Sequence, residues 1–237
     1  GTVEAGLGAI TTLLNRVNEV YQRDVAAEFQ LASGNDTIIF TDAATDPFFN
    51  GDDPSGSGLN DVDVNMQVQA VAQTQGLGAF DIGHVVNTGG GGLAGLGVLC
   101  TAEKSAGMTG SPNPVGDAFF IDYVAHEIGH QFGADHTFNG TTGSCGGGNR
   151  EASQAWEPGS GSSIMAYAGI CGEEDLQANS LPYFHSKSIE QMRAHMATVS
   201  SCGTTQSLTN NAPQVAAGND HVIPANTPFV LKGAGTD

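Results

Sequence analysis

His126-Glu127-Ile128-Gly129-His130-Gln131-Phe132-Gly133-Ala134-Asp135-His136, preceded by the apolar run Ala118-Phe119-Phe120-Ile121-Asp122-Tyr123-Val124-Ala125, is the stretch on which the fold turns. Residues four apart on a helix stand about 40° from each other, so His126 and His130 leave one face and can share a tetrahedral zinc ion. Glu127 follows the first histidine directly, where its carboxylate reaches a water on that metal without being a ligand, the position of a general base. Gly133 suits the left-handed conformation that ends a helix and turns the chain back, so that His136 returns as third ligand. Three nitrogens leave the fourth position open, the mark of a catalytic rather than a structural zinc site. A lone histidine beside an apolar face is ordinary packing, but the full register H-E-x-x-H-x-x-G-x-x-H is hard to obtain that way.

Outward from this string, the composition narrows the partners. The chain has 237 residues and a formal charge of -18, from 7 Lys and Arg against 25 Asp and Glu. Such a surface repels phosphate backbones and anionic lipid, which argues against nucleic acid. No apolar run approaches the length of a membrane helix. Most of the carboxylates read as a solvated anionic surface, with calcium binding as the alternative use for some. Cys100, Cys145, Cys171 and Cys202 are spread singly, which fits two disulfides and an oxidising compartment better than a cysteine-rich zinc site. Three pairings are open. No basic segment leads into an apolar stretch at the start, so a signal peptide or pro-segment is expected to be absent from this chain, and its location is expected to be extracellular.

Apolar residues at helical spacing predict an amphipathic helix over Val3 to Phe29 and a second over Val62 to Gln75. Thr37 to Thr41 and Ile82 to Val86 read as short strands, the first closed by a polar stretch from Asp42 to Asp53. The glycine-rich run Thr88 to Cys100 is either a binding edge or an irregular loop. After Cys202 a polar linker, Gly203 to Pro213, leads into what reads as the first strands of a β-sandwich, of Ig or PKD type, cut short at Asp237. The domains expected are 1–203 and 204–237. His84, His185, His195 and His221 lack ligand spacing and are expected to be structural. Glu173, Glu174 and Asp175 are expected to form a solvated loop face.

The motif resembles the zinc-binding string of the metzincin proteases, and Ser163-Ile164-Met165-Ala166-Tyr167 resembles their methionine turn, with Met165 as a floor beneath the histidines. Over residues 1–203 the chain is similar to the bacterial branch of the reprolysin, or adamalysin-like, proteases. The resemblance implies an α+β fold: a mixed five-stranded sheet, a long active-site helix, an irregular lower subdomain, and a last helix near Ser186 to Val199. It also implies that a first strand is missing here. It implies disulfides Cys100–Cys202 and Cys145–Cys171, and an edge strand at Leu93, Ala94, Gly95 and Leu96 that binds an extended peptide. Asp81 matches a family calcium-ligand position loosely. Thr137 stands where adamalysins place Asp, and Tyr167 is more like astacins and serralysins, which makes it a candidate oxyanion stabiliser.

The function that follows from the resemblance is a secreted zinc-dependent endopeptidase in which Glu127 activates a metal-held water. Side-chain preference is expected to depend on residues between Ile164 and His185. The alternatives are a zinc-binding adhesion or recognition module without turnover, and a zinc amidase acting on cell-wall peptides. Oligomeric state is not readable from the sequence.

Overall fold

Thr2 starts the first helix, its hydroxyl oxygen accepting from the Ala5 N–H at 3.1 Å. Helix α1 spans Val3–Val25 and buries Leu13, Val17, Val20, Tyr21 and Val25. It ends four residues short of the predicted Phe29 because Ala26 turns left-handed, with φ 57°. Asn18 then holds the departing chain by accepting from the Phe29 N–H and donating to the Phe29 carbonyl, at 2.7 and 2.9 Å. That seats the Phe29 ring 4.9 Å from Tyr21 and 5.6 Å from Phe132. The structure is a computed structural model describing residues 1–48, 61–199, 202–207 and 213–236, and it divides into two compact units, Gly1–Cys202 and Gly203–Asp237. The expected polar stretch from Asp42 to Asp53 and linker from Gly203 to Pro213 lie in part outside the described residues, as does Asp237.

The first unit is α+β. The strand expected at Thr37–Thr41 is a 3-10 turn, Asn35–Ile38, opened by Gly34 at φ 83° and closed by the Thr37 N–H donating to the Gly34 carbonyl. Among the described residues no neighbouring strand pairs with it, so local bonds win over β propensity. Helix α2 covers Asp61–Thr74. Strands β1 (Val85–Asn87), β2 (Gly91–Ala94) and β3 (Gly107–Gly110) form a sheet in the order β1-β3-β2. β1 runs parallel to β3 and β2 antiparallel to it. The described residues therefore give this sheet three strands, not the five expected. Its first strand also begins later than Ile82, because the Gly83 N–H is taken by the Lys104 carbonyl before ladder pairing starts.

Side chains alternate across a strand, and here the alternation sorts them by size. Val85, Leu93 and Met108 face Val64 and Val68 of α2 in one apolar cluster. On the other face, Gly92 and Gly107 leave room for Glu127 and Gln131, which a Cβ at either glycine would overlap. The small residues thus let the sheet lie close against the helix that carries His126 and His130. That helix is assembled from α3 (Asp117–Phe119), a π-helical segment (Phe120–Ala125) and α4 (His126–Gln131). Its buried side, with Phe119, Ile121, Val124 and Ile128, packs into the main core with α1.

From Ala134 to His185 the chain has only short 3-10 turns and one isolated bridge, Phe138 to Glu157. Phe138, Cys145 and Cys171 make a small separate core beside Tyr167. Disulfides join Cys145 to Cys171 and Cys100 to Cys202. Helix α5 (Ser186–Thr198) follows, its first turn capped by His185, whose Nδ1 accepts from the Lys187 N–H. In the second unit, β4 (Gln214–Ala216) and β5 (Ala234–Thr236) pair antiparallel, with Val222, Phe229, Val230 and Leu231 exposed.

Candidate metal centre

Helix α4 closes with a double backbone bond. The Gly133 N–H donates to the His130 carbonyl at 2.8 Å and the Ala134 N–H to the Gly129 carbonyl at 3.0 Å, with Gly133 left-handed at φ 96°. The chain reverses there. Asp135 is gripped by Gln191 of α5, which accepts from its N–H at 3.1 Å and donates to its carboxylate at 2.7 Å. His136 is thereby brought against His126 and His130.

The three rings are fixed in the same sense. Nδ1 of His126 faces the Ile164 carbonyl at 2.7 Å, that of His130 the Ala134 carbonyl at 2.7 Å, and that of His136 the Asn149 carbonyl at 2.6 Å. A carbonyl only accepts, so each Nδ1 carries the proton and each Nε2 carries a lone pair. The three Nε2 atoms lie 3.0, 3.1 and 3.2 Å apart. None can donate to another, so three lone pairs converge with nothing protonated between them. A tetrahedral zinc with nitrogen at about 2.0–2.1 Å needs ligands about 3.3–3.4 Å apart, close to this triangle. The donor set therefore fits zinc, and the carbonyls behind the rings are the outer partners a histidine ligand requires. Burial, with mutual repulsion, lowers His126 to about 3 and holds His130 below its ordinary value; burial lowers His136 too, so all three stay neutral.

Glu127 is 8 % exposed and lies against Gly92 of β2. Burial pushes its carboxyl up to about 8. Met165 is fully buried, with its Sδ in the space left by Gly129, where a Cβ would overlap it. Its carbonyl accepts from the Thr137 N–H at 3.1 Å, joining the methionine turn to the residue after the third histidine. The Tyr167 ring lies 4.6 Å from that of His136 and 5.6 Å from that of His126, and stacks on Phe138. Burial raises its phenol well above the ordinary value, so the hydroxyl stays a donor.

The remaining expectations fare unevenly. Leu93 and Ala94 lie in β2, but Gly95 and Leu96 have left it: the Gly95 N–H donates to the Ala106 carbonyl and the following Gly97 N–H to the His130 carbonyl, which bends the chain over the end of α4. The strand edge is Gly91–Ala94 instead. Among the described His, Cys, Asp and Glu side chains, Asp81 is grouped with Cys100 and Cys202, which are already bonded to each other, and with no second carboxylate of the kind calcium favours. Nothing supports calcium there. Glu174 and Asp175 are not simply a solvated face. Glu174 accepts from the N–H groups of Thr141 and Thr142, at 2.5 and 2.8 Å, and Asp175 from that of Cys171 at 2.7 Å. His84 is a half-buried connector, its Nδ1 donating to the Gln131 side chain and its Nε2 accepting from Thr109, at 2.8 and 2.7 Å. His195 faces the Leu99 carbonyl, and His221 is exposed in the second unit.

Gly92, Gly129 and Gln131 went unnoticed in the sequence. A glycine inside a helical pattern signals a close neighbour, so Gly129 was open to detection; the glycine-rich run around Gly92 signalled a close approach without naming Glu127 as what approaches, and Gln131 had no local signal.

Residues 7–137 match the family model described as Metallo-peptidase family M12B Reprolysin-like. No curated protein matches the chain significantly.

Proposed function

We propose that this chain, which belongs to the reprolysin-like M12B family of metallopeptidases, is a secreted zinc-dependent endopeptidase. The observation that carries the reading is the convergence of three Nε2 lone pairs, with Glu127 in the helical position next to the first of them. His126, His130 and His136 would hold the ion. Bound zinc supplies Lewis acidity, polarising a substrate carbonyl and acidifying water.

The protein's own groups do the rest. A cation held by the three histidines would offset the burial that raises Glu127 and leave it ionised. Glu127 then takes a proton from the water that attacks the scissile carbonyl carbon, and returns it to the leaving amine nitrogen as the C–N bond breaks. No covalent intermediate with the protein forms. The Tyr167 hydroxyl has no hydrogen-bond partner among the described residues, which leaves it free to donate to the developing oxyanion. The β2 edge that does not face β3 offers main-chain groups to an extended peptide, antiparallel, and its glycines keep the peptide close. Residues 1–203 form the catalytic domain, and 204–237 open a separate β-sandwich module. Two disulfides, and the absence among the described residues of any helix long and apolar enough to cross a membrane, support an extracellular setting.

Hydrolysis of a denatured protein substrate tests the reading, with wild type and Glu127→Gln compared with and without 1,10-phenanthroline, and zinc content measured for both. Wild type cleaves only without chelator, and Glu127→Gln keeps its zinc but loses about 1,000-fold in kcat/KM. Undiminished turnover in Glu127→Gln would remove the general base. Cleavage of peptidoglycan peptides but not of protein would turn the assignment to an amidase.

A further inference from the structure

Glu157 sits alone in sequence between Trp156 and Pro158, with no motif around it, yet its residue is only 7 % exposed. A buried carboxylate is costly unless its oxygens are bonded. Among the described residues no Lys or Arg pairs with it. Five donors do. Oε2 accepts from the hydroxyls of Thr137 and Ser163, both at 2.5 Å. Oε1 accepts from the N–H groups of Ser162 and Ser163, at 2.9 and 3.1 Å, and more weakly from the Ser162 hydroxyl at 3.4 Å. Burial pushes the carboxyl up, but the bonds from Ser163, Thr137 and Ser162 outweigh it and hold the group ionised below its ordinary value.

These donors belong to two segments. Thr137 follows His136 directly. Ser162 and Ser163 lead directly into Ile164, whose carbonyl orients His126, and Met165, whose sulfur lies against Gly129. The backbone repeats the link, with the Glu157 N–H donating to the Thr137 carbonyl at 2.8 Å and the Thr137 N–H to the Met165 carbonyl at 3.1 Å. His136 arrives on an irregular loop and has no helix to set its distance from the other two ligands. One carboxylate holds both the end of that loop and the start of the turn beneath His126.

From this geometry we infer that Glu157 is a positioning residue for the metal centre, an internal anion that fixes His136 relative to His126 by gripping Thr137 and Ser162–Ser163 together. It touches neither metal nor substrate. The inference rests on the three-histidine metal site proposed above, and the experiment separates the two.

Zinc affinity is measured by competition with a chromophoric chelator, and the visible spectrum of the cobalt-substituted protein is recorded, for wild type, Glu157→Gln, Glu157→Asp and Glu174→Gln. Glu157→Gln puts an amide nitrogen where two hydroxyls or two N–H groups donate. Zinc binding weakens about 10–100-fold, the range for loss of a group that orients a ligand, and the cobalt bands change position or intensity in the folded fraction. Glu157→Asp recovers part of the affinity, and Glu174→Gln, which alters another loop carboxylate, stays within about threefold of wild type on that scale. A merely structural role would lower the folded fraction while leaving the cobalt spectrum of the folded molecules unchanged, and that result overturns the inference, as does wild-type affinity in Glu157→Gln. Should Glu157→Gln fail to fold, Thr137→Val and Ser163→Ala each remove one donor; unchanged zinc affinity in both overturns the inference, and a severalfold loss in either supports it. If wild type binds neither zinc nor cobalt stoichiometrically, the metal-site reading itself fails and this inference falls with it.

Discussion

Around Tyr21 the molecule is held by hydrocarbon: Val17, Val20 and Tyr21 are completely buried, Phe29, Phe132 and Phe184 meet the tyrosine ring edge to face, and its hydroxyl donates to the Ala125 carbonyl, the residue before His126. Between Ala134 and His185 the balance is reversed. Ile164, Met165 and Phe184 of this segment join the main core, Phe138, Cys145 and Cys171 form its own small apolar cluster, and the rest is shaped by carboxylates that collect N–H and hydroxyl donors and by one disulfide. Two ligands come from the first region and the third from the second. The metal site therefore leans on the weaker region through His136, and the bonds of Glu157 there matter more to it than their number suggests.

The strongest way to break this comparison is to remove the cross-link from the region that lacks a core. Cys145→Ala with Cys171→Ala opens a loop with a sequence separation of 26, which costs about 3–4 kcal/mol on a loop-entropy estimate. The expected outcome is loss of zinc affinity with the helical circular dichroism of α1 and α5 largely retained. Complete loss of helix instead would mean the two regions fold as one and share one stability.

The contact between the regions gives the next effect. Gly129 of α4 meets Met165 Sδ and stands 3.4 Å, at the Cβ position, from Phe184. In an open position alanine would stabilise the helix by about 1 kcal/mol relative to glycine. Here Gly129→Ala is expected to destabilise by about 2 kcal/mol through overpacking, read from a shift in the denaturant midpoint at unchanged m-value. A more stable variant would show that the methionine can yield and that the regions are joined loosely.

The smallest effect concerns a polar knot that ties the sheet to α4. His84, bonded to Gln131 and Thr109, is lowered from 6.5 to about 4, chiefly by burial. Since the unfolded chain takes up the proton first, the contribution of neutral His84 is present above about pH 6.5 and is lost as pH falls toward 4. Between pH 7 and 5.5 wild type should lose about 1 kcal/mol more than His84→Gln, measured as the difference between their unfolding free energies in chelator. Parallel curves would show that His84 is not held neutral.

How much of this was legible depended on range. The convergence of His126 and His130 and the place of Glu127 beside them could be read because a spacing of four on a helix is local, and Gly133 because a left-handed turn announces itself. The α1 helix was also legible, except for its end, since the Asn18 clamp on Phe29 acts across 11 residues and leaves no periodic trace. The strands of the sheet are three or four residues long, too short to carry a pattern, and Thr37–Thr41 had the right residues but no pairing strand among the described residues. Glu157 was invisible because its donors lie 20 residues before it and 5 or 6 after it, and meet only once the loop has closed.

The bond between Cys100 and Cys202 also has a mechanical consequence. Cys202 is the last residue of the first unit, and Gly203 begins the second. Tension applied through the second unit enters at Cys202 and crosses the sulfur bridge to Cys100. Just before Cys100, Val98 and Leu99 donate their N–H groups to the Gln131 carbonyl at the end of α4. Helix α5 is joined to Cys202 by backbone alone, so the bridge gives the load a second route, one that ends beside the helix that carries His126 and His130.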